Sequence, residues 1–218
     1  PPLGALYLGA VLKRAGEPVE LLDGGVEPLT PARLRETIVR HDTVGISANV
    51  SHLYSGVQLA RFIRREFPDR RIIWGGPAPS VEYAKLLPEL ADIVVLGEGE
   101  EQIAKLANQV PMAEISGLAW WDGAAIQVNP RAGYIEDLDA LPFPAWELVA
   151  GKRYAVPGRA PVHMVMTERG CPFQCLNCTK FIHGDRYRTR SIASVIAEIE
   201  YLRNCFNSRD IHIFDDNF

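Results

Sequence analysis

Three of the four cysteines of this chain stand within eight residues, in "MTERGCPFQCLNCTKF" (166–181), where Cys171, Cys175 and Cys178 are spaced CxxxCxxC. A cluster of this kind does not look like a disulfide framework, and in a reducing compartment it points to metal binding or redox chemistry. A loop can turn three thiolates toward one centre. Structural zinc sites are closed by four ligands, usually paired CxxC motifs or cysteines with a paired histidine, so zinc needs a fourth group, for which His183 is a candidate. Cys205 is a poorer one, because it sits near the end of a helical pattern and reads as a small buried hydrophobe. A four-iron four-sulfur cluster is held by cysteine thiolates. Three of them leave one iron without a protein ligand, which accounts for the incomplete set.

Residues of this kind need a scaffold, and bulk composition limits what it can be. The chain has 218 residues, 47% hydrophobic and 23% charged, with net charge -4, which describes a globular protein of one large or two modest domains. No apolar run is long enough for a membrane span and no signal peptide is evident, so a cytoplasmic location is expected, with no membrane partner. The acidic balance argues against nucleic acid, although Arg186, Arg188 and Arg190 can meet one anionic group. There is no initiator Met, helical periodicity begins at Leu3, and "IHIFDDNF" stops as a strand finishes. The expectation is a fragment truncated at both ends, lacking the first strand of its sheet and unable to turn over by itself.

From residue 1 to about 110 the pattern alternates helix and short apolar strand. The strands read as "PVELLD", "TVGISA", "RIIWGG" and "DIVVLG". Strands alternating with helices of this length predict parallel crossovers and a Rossmann-like, doubly wound α/β sheet. Such sheets place ligands at the carboxyl ends of their strands, which here are small, glycine-rich and polar. "SGLAWWDGAAIQVNP" reads as a β-hairpin turning at Asp122 and Gly123, and residues 134–158 as a proline-containing linker that packs Phe143 and Trp146. A second domain, residues 161–218, opens with the strand "VHMVMTE", the cysteine loop, the helix "SIASVIAEIEYLRNCF" and the strand "DIHIFDD". This gives three regions: 1–110, 111–160 and 161–218.

CxxxCxxC directly after a strand, preceded by Arg169 and Gly170 and followed by a helix and second strand, resembles the radical S-adenosylmethionine (radical SAM) superfamily. The resemblance implies a 4Fe-4S cluster on Cys171, Cys175 and Cys178 at the start of a partial (β/α) barrel. Its open iron chelates the amino and carboxylate groups of SAM, and one electron cleaves SAM to a 5′-deoxyadenosyl radical. It further implies an electron donor such as flavodoxin or ferredoxin. The residue before the last cysteine is commonly aromatic in that family and helps hold adenine; here it is Asn177. Asp215 and Asp216, ending the second barrel strand, stand where the family meets the SAM ammonium group, which a carboxylate can do by a charge-assisted hydrogen bond. Arg188 and Arg190 are candidates to pair with a carboxylate of SAM or substrate, against the alternative of a solvated face.

An α/β sheet directly upstream of a radical SAM core is similar to the cobalamin-binding domain of the cobalamin-dependent radical SAM class. Cobalamin-binding folds of the methionine synthase type are marked by DxHxxG, a serine after a later strand and then a Gly-Gly pair. Gly4, opening "GALYLGAVLKRAG", suits the segment after DxHxxG; Ser47 in "GISANVS", with Ala48 and Asn49, suits the serine; Gly75, Gly76 and Pro77 suit the Gly-Gly pair; and Gly97, Glu98 and Gly99 close the next strand. Counted back from Gly4, the cobalt-binding histidine would fall at Pro1, so that ligand is absent. His41, His52, His163 and His212 read as surface or core residues. The glycines have their own physical reading as tight strand-to-helix turns. The function implied is a cobalamin-dependent radical SAM methyltransferase acting on an unactivated centre of a small molecule. Cyclisation or rearrangement with the same cofactors, and a non-catalytic corrinoid- or zinc-binding relative, are the alternatives.

Overall fold

A computed structural model describes residues 1–150, 154, 162–178 and 180–217. In chain order the elements are α1 (Leu3–Arg14), α2 (Pro31–Ile38), β1 (Thr43–Ser47), α3 (Leu53–Glu66), β2 (Arg71–Gly75), α4 (Pro77–Leu86), β3 (Ile93–Val95) and α5 (Glu100–Ala107). They continue with β4 (Leu118–Trp121), β5 (Ile126–Val128), β6 (Val162–Val165), β7 (Glu168–Arg169), β8 (Arg188–Thr189), α6 (Ile192–Phe206) and β9 (Asp210–Ile213). Contacts divide the chain into two compact units. One is Thr30–Tyr134; the other is discontinuous, Pro1–Leu29 with Ile135–Phe218.

In the Thr30–Tyr134 unit, β1, β2 and β3 pair in parallel, and the hairpin β4–β5 adds antiparallel strands beside β3, giving the order β1-β2-β3-β4-β5 among the described residues. This is the α/β class with a parallel-stranded sheet that the alternating pattern predicts. β3 is buried throughout and β2 buries Ile72, Ile73 and Trp74, as strands covered on both faces must. Trp74 is fully buried, donates its indole N–H to Leu90 O at 2.8 Å, and lies so close to α3 that a Cβ on Gly56 would stand 2.7 Å from its ring. Asp92 ties the sheet to α3, accepting from Ile72 N (2.6 Å) and from Arg64 (2.9 Å). α2 starts where Thr30 caps the Arg33 N–H and proline takes the first turn, the position where a missing N–H is harmless.

Two details of this unit differ from the sequence expectation. The hairpin turns about Gly123 and Ala124 rather than Asp122 and Gly123: Asp122 N bonds Ala125 O (3.2 Å), Gly123 has φ +102°, and the Asp122 carboxylate accepts from the N–H groups of Ala124 and Ala125. A glycine at the first central position is what a type II′ turn requires. The hairpin also continues the parallel sheet instead of standing in a separate linker.

In the discontinuous unit, β6 and β9 pair in parallel around α6, a single βαβ unit. α6 starts at the Ser191 cap, which accepts from Ser194 N, and ends at Asn207 in the left-handed conformation, φ 50°. Leu3, Leu6 and Tyr7 of α1 share one core with Trp146, Val149, Val165, Met166 and Leu202. Among the described residues the expected strand 18–23 is not assigned as a strand, although Leu21 packs on that core. Residues 134–150 hold two 3₁₀ turns, Leu138–Ala140 and Trp146–Val149, with Trp146 fully buried; the Pro157–Gly158 end of the linker lies outside the described residues. Cys205 is exposed, not the buried hydrophobe expected, because it falls on the outer side of α6.

Candidate cofactor sites

The cysteine loop grows from the carboxyl ends of β6 and β9. β7 and β8 pair antiparallel, Glu168 with Thr189 and Arg169 with Arg188, and so clasp residues 170–187 at their root. Gly170 sits immediately inside that clasp with φ +88°, and a Cβ there would stand 2.2 Å from Arg186 O, so no other residue fits without moving backbone. Cys171 N donates to Gly184 O (3.2 Å) and Cys178 N to Cys175 O (3.1 Å). The Arg169 guanidinium lies over the Tyr7 ring at 5.1 Å.

All three thiols are free, Cys171 half-buried and Cys175 and Cys178 exposed. Among the described residues no three His, Cys, Asp or Glu side chains gather closely enough to hold a metal ion. The donor set nonetheless fits a three-cysteine cluster by its chemistry, and its root is held firmly. Metal–ligand bonds commonly organise their own loop, since metal binding and local folding are coupled. Asn177 is exposed in the turn between Cys175 and Cys178.

Both strand-end carboxylates are brought to the root of this loop, where they accept hydrogen bonds from it. Asp215 accepts from Thr167 N (2.6 Å), the Thr167 hydroxyl and Glu168 N (3.3 Å). Asp216 accepts from Gly170 N (2.8 Å) and His183 Nδ1 (2.8 Å). The bond from His183 is the main cause holding the Asp216 carboxyl below its usual range, against the opposing effect of burial. Neither arginine lies on a solvated face. Arg188 is buried and donates to Ile135 O and to His183 O (2.9 Å). Arg190 forms a buried ion pair with Glu198, with further bonds to Met166 O and Ser194.

One residue of this group escaped the sequence reading. Glu168 is 1% exposed; its Oε1 accepts from Asn217 N (2.8 Å), while its Oε2 is buried without a hydrogen-bond partner. Burial pushes the Glu168 carboxyl up, and the charges of Asp215 and Asp216 add to the effect. The available signal was a carboxylate placed directly after an apolar strand and before Arg169-Gly170.

In the Thr30–Tyr134 unit, the carboxyl ends of β1, β2 and β3 bring together most of the residues expected for cobalamin. Ala48 N donates to Gly75 O (3.1 Å) and Ala78 N to Ala48 O (3.4 Å). Gly76 has φ +96°, and a Cβ there would stand 2.8 Å from Ala48 O, so the fold itself demands that glycine. Gly75 is different: a Cβ would meet only Val95, at 3.9 Å. Packing does not require a glycine at 75, and the space it leaves fits close approach by a ligand. Ser47 and Pro77 are exposed at the same edge, whereas Ala48 is buried. Asn49 is occupied locally, accepting from His52 N and the Ser51 hydroxyl. Gly97 has φ +99°, Glu98 is buried, and Gly99 N donates to the Glu100 carboxylate (3.1 Å). Gly4 belongs to the other unit, on α1.

The B12 binding domain family matches residues 1–107. Over 232 aligned residues the chain is 30% identical to an uncharacterised methyltransferase of Pyrococcus horikoshii, covering 100% of this chain and 49% of the relative. Residues 1–107 thus carry a B12 binding domain. The chain is also 31% identical to the anaerobic magnesium-protoporphyrin IX monomethyl ester cyclase of Synechocystis sp., covering 100% of this chain and 45% of that protein. A solved structure with the same fold is the radical S-adenosylmethionine methyltransferase TsrM from Kitasatospora setae with cobalamin and a 4Fe-4S cluster bound, at TM-score 0.74 and 21% identity over 99% of this chain and 45% of that one. The chain spans about half the length of the curated relatives it matches. Among the described residues no helix is long and apolar enough to cross a membrane.

Proposed function

We propose that this chain is the cofactor-binding part of a cobalamin-dependent radical SAM methyltransferase acting on a small molecule. The observation that carries the proposal is the CxxxCxxC loop, clasped by β7 and β8 at the carboxyl ends of β6 and β9, in one chain with a B12 binding domain. When bound, the cluster supplies the electron that cleaves SAM and cobalamin supplies the methyl carrier. Cys171, Cys175 and Cys178 hold the cluster through thiolates. Gly170 lets the chain double back under Arg186 O, and Asp215 and Asp216 brace the loop's root from β9. Asn177, Glu168, Asp216 and Arg188 border the side on which SAM is received. Ser47, Gly75, Gly76 and Gly97 offer cobalamin an edge free of large side chains. A one-electron donor of the flavodoxin or ferredoxin type reaches the exposed cysteine loop.

A second reading, oxidative cyclisation with the same cofactors, is favoured by the likeness to the Synechocystis cyclase. The deciding experiment is iron, sulfide, cobalt and zinc analysis with absorption spectra on protein reconstituted without oxygen in the presence of cobalamin. Wild type is expected to hold about four irons, as a 4Fe-4S cluster contains, and to retain cobalt, whereas the Cys171→Ala, Cys175→Ala, Cys178→Ala variant loses iron and keeps cobalt. Zinc without iron sinks the radical reading; iron without cobalt removes cobalamin from it. Methylated product separates the methyltransferase from the cyclase.

A further inference from the structure

Two left-handed glycine turns border the proposed cobalamin edge, Gly76 after β2 and Gly97 after β3, with φ +96° and +99°. Glycine adopts such turns readily but also loses the most conformational freedom when they are fixed, so their separation needs a tether. Ser80, in the first turns of α4, supplies one. It is 8% exposed. Its hydroxyl donates to Gly76 O at 2.9 Å, has Val95 O at 3.3 Å as a second acceptor, and accepts from Gly97 N–H at 3.3 Å. A serine hydroxyl has one proton and two lone pairs, so giving to one turn and taking from the other uses both capacities. The hydroxyl thereby spans from the start of α4 to the end of β3, touching both turns.

We propose that Ser80 is a positioning residue for the ligand of this edge: its hydroxyl sets the separation of the Gly76 and Gly97 turns against which cobalamin lies. The inference rests on the cobalamin reading above and adds to it a residue that makes no contact with the ligand itself. Without the hydroxyl the Gly97 N–H loses its acceptor and the turn is free to shift. A buried hydrogen bond is a modest contribution, so the affected quantity is ligand affinity rather than the existence of the fold.

The test is a spectral titration of the purified protein with hydroxocobalamin, in wild type, Ser80→Ala and Ser80→Cys, with thermal unfolding and amide hydrogen exchange at Gly97 measured alongside. Ser80→Ala is expected to bind about tenfold more weakly, the equivalent of one hydrogen bond, with faster exchange at Gly97. Ser80→Cys, whose sulfur is a weak acceptor, falls between. Wild-type affinity in Ser80→Ala overturns the proposal, as does a lowered unfolding midpoint with affinity unchanged at a temperature where the variant is folded. Failure of the wild type to bind cobalamin overturns the cobalamin reading and this inference with it. Should Ser80→Ala not fold, exchange at Gly97 in the wild type decides: cobalamin must slow it, and unchanged exchange counts against the proposal.

Discussion

Glu168 carries one carboxylate oxygen that meets Asn217 N and another that is buried and unmatched, with two further carboxylates close by. Its folded pKa is raised, so the native state binds more protons than the unfolded one, and stability falls as pH rises from the usual carboxylate range through the raised value. Glu168→Gln removes the charge and keeps an oxygen for Asn217. The unfolding midpoint of the variant relative to wild type should therefore increase as pH rises above the usual carboxylate range; a constant difference refutes the assignment. The adjacent glycines Gly75 and Gly76 separate fold from ligand. Gly76→Ala meets Ala48 O and a positive φ, and is expected to destabilise by more than about 1 kcal/mol. Gly75→Ala should leave the thermal midpoint near wild type and lower cobalamin uptake. Equal uptake by Gly75→Ala and wild type would show that the space at residue 75 is not used. The pair GG was legible in the sequence, but the difference between its members was not, because it depends on Ala48 and Val95 arriving from other strands. In the same way Asp215 and Asp216 were legible as a strand-end pair, while their partners Thr167, Gly170 and His183 were not.

At the level of elements, local pattern was informative wherever a helix carries its own signals. α6 lies inside the stretch its periodicity indicates and has both a serine cap and a left-handed stop. Residues 18–23 show the opposite case: an apolar run cannot state whether a neighbouring strand will be there. Nor does periodicity reveal that α6 carries a buried charge. Glu198 is fully buried and paired with Arg190, whose side chain is 5% exposed, and the guanidinium also lies 5.6 Å from the Phe143 ring centre. Removing one member of a buried pair strands the other charge, at a cost of about 3–5 kcal/mol. Glu198→Ala should lose about that much in denaturant unfolding, and the double variant Arg190→Met, Glu198→Leu much less. Comparable losses in both would mean that α6 is held by packing and that the pair adds little.

Over the whole molecule, residues 1–29 pack with residues 135–218, although the B12 binding domain family spans residues 1–107. Contacts between segments so far apart leave no local periodicity, which is why the sequence boundary near residue 110 does not coincide with either junction of the compact units. Leu6 makes the point testable. It is fully buried in the core that includes Val165 and Leu202, and Leu6→Ala should cost about 2–5 kcal/mol. The loss should appear as poorer iron retention, far along the chain from the substitution, and unaltered iron content at a lowered midpoint would uncouple α1 from the cysteine loop.

The same connectivity imposes an order of events on the ribosome. Pro1–Leu29 is made before Trp146, Val165 and Leu202, the residues with which its Leu3, Leu6 and Tyr7 share a core. Thr30–Tyr134, an uninterrupted stretch whose parallel strands are joined through intervening helices, is complete beforehand, and units of contiguous chain fold as they are synthesised. The cysteine-bearing unit closes after it, over a contact of long sequence separation and therefore slowly. Until Trp146, Val165 and Leu202 are made, Leu3, Leu6 and Tyr7 lack the core they are buried in, and Cys171, Cys175 and Cys178 follow later still in the chain.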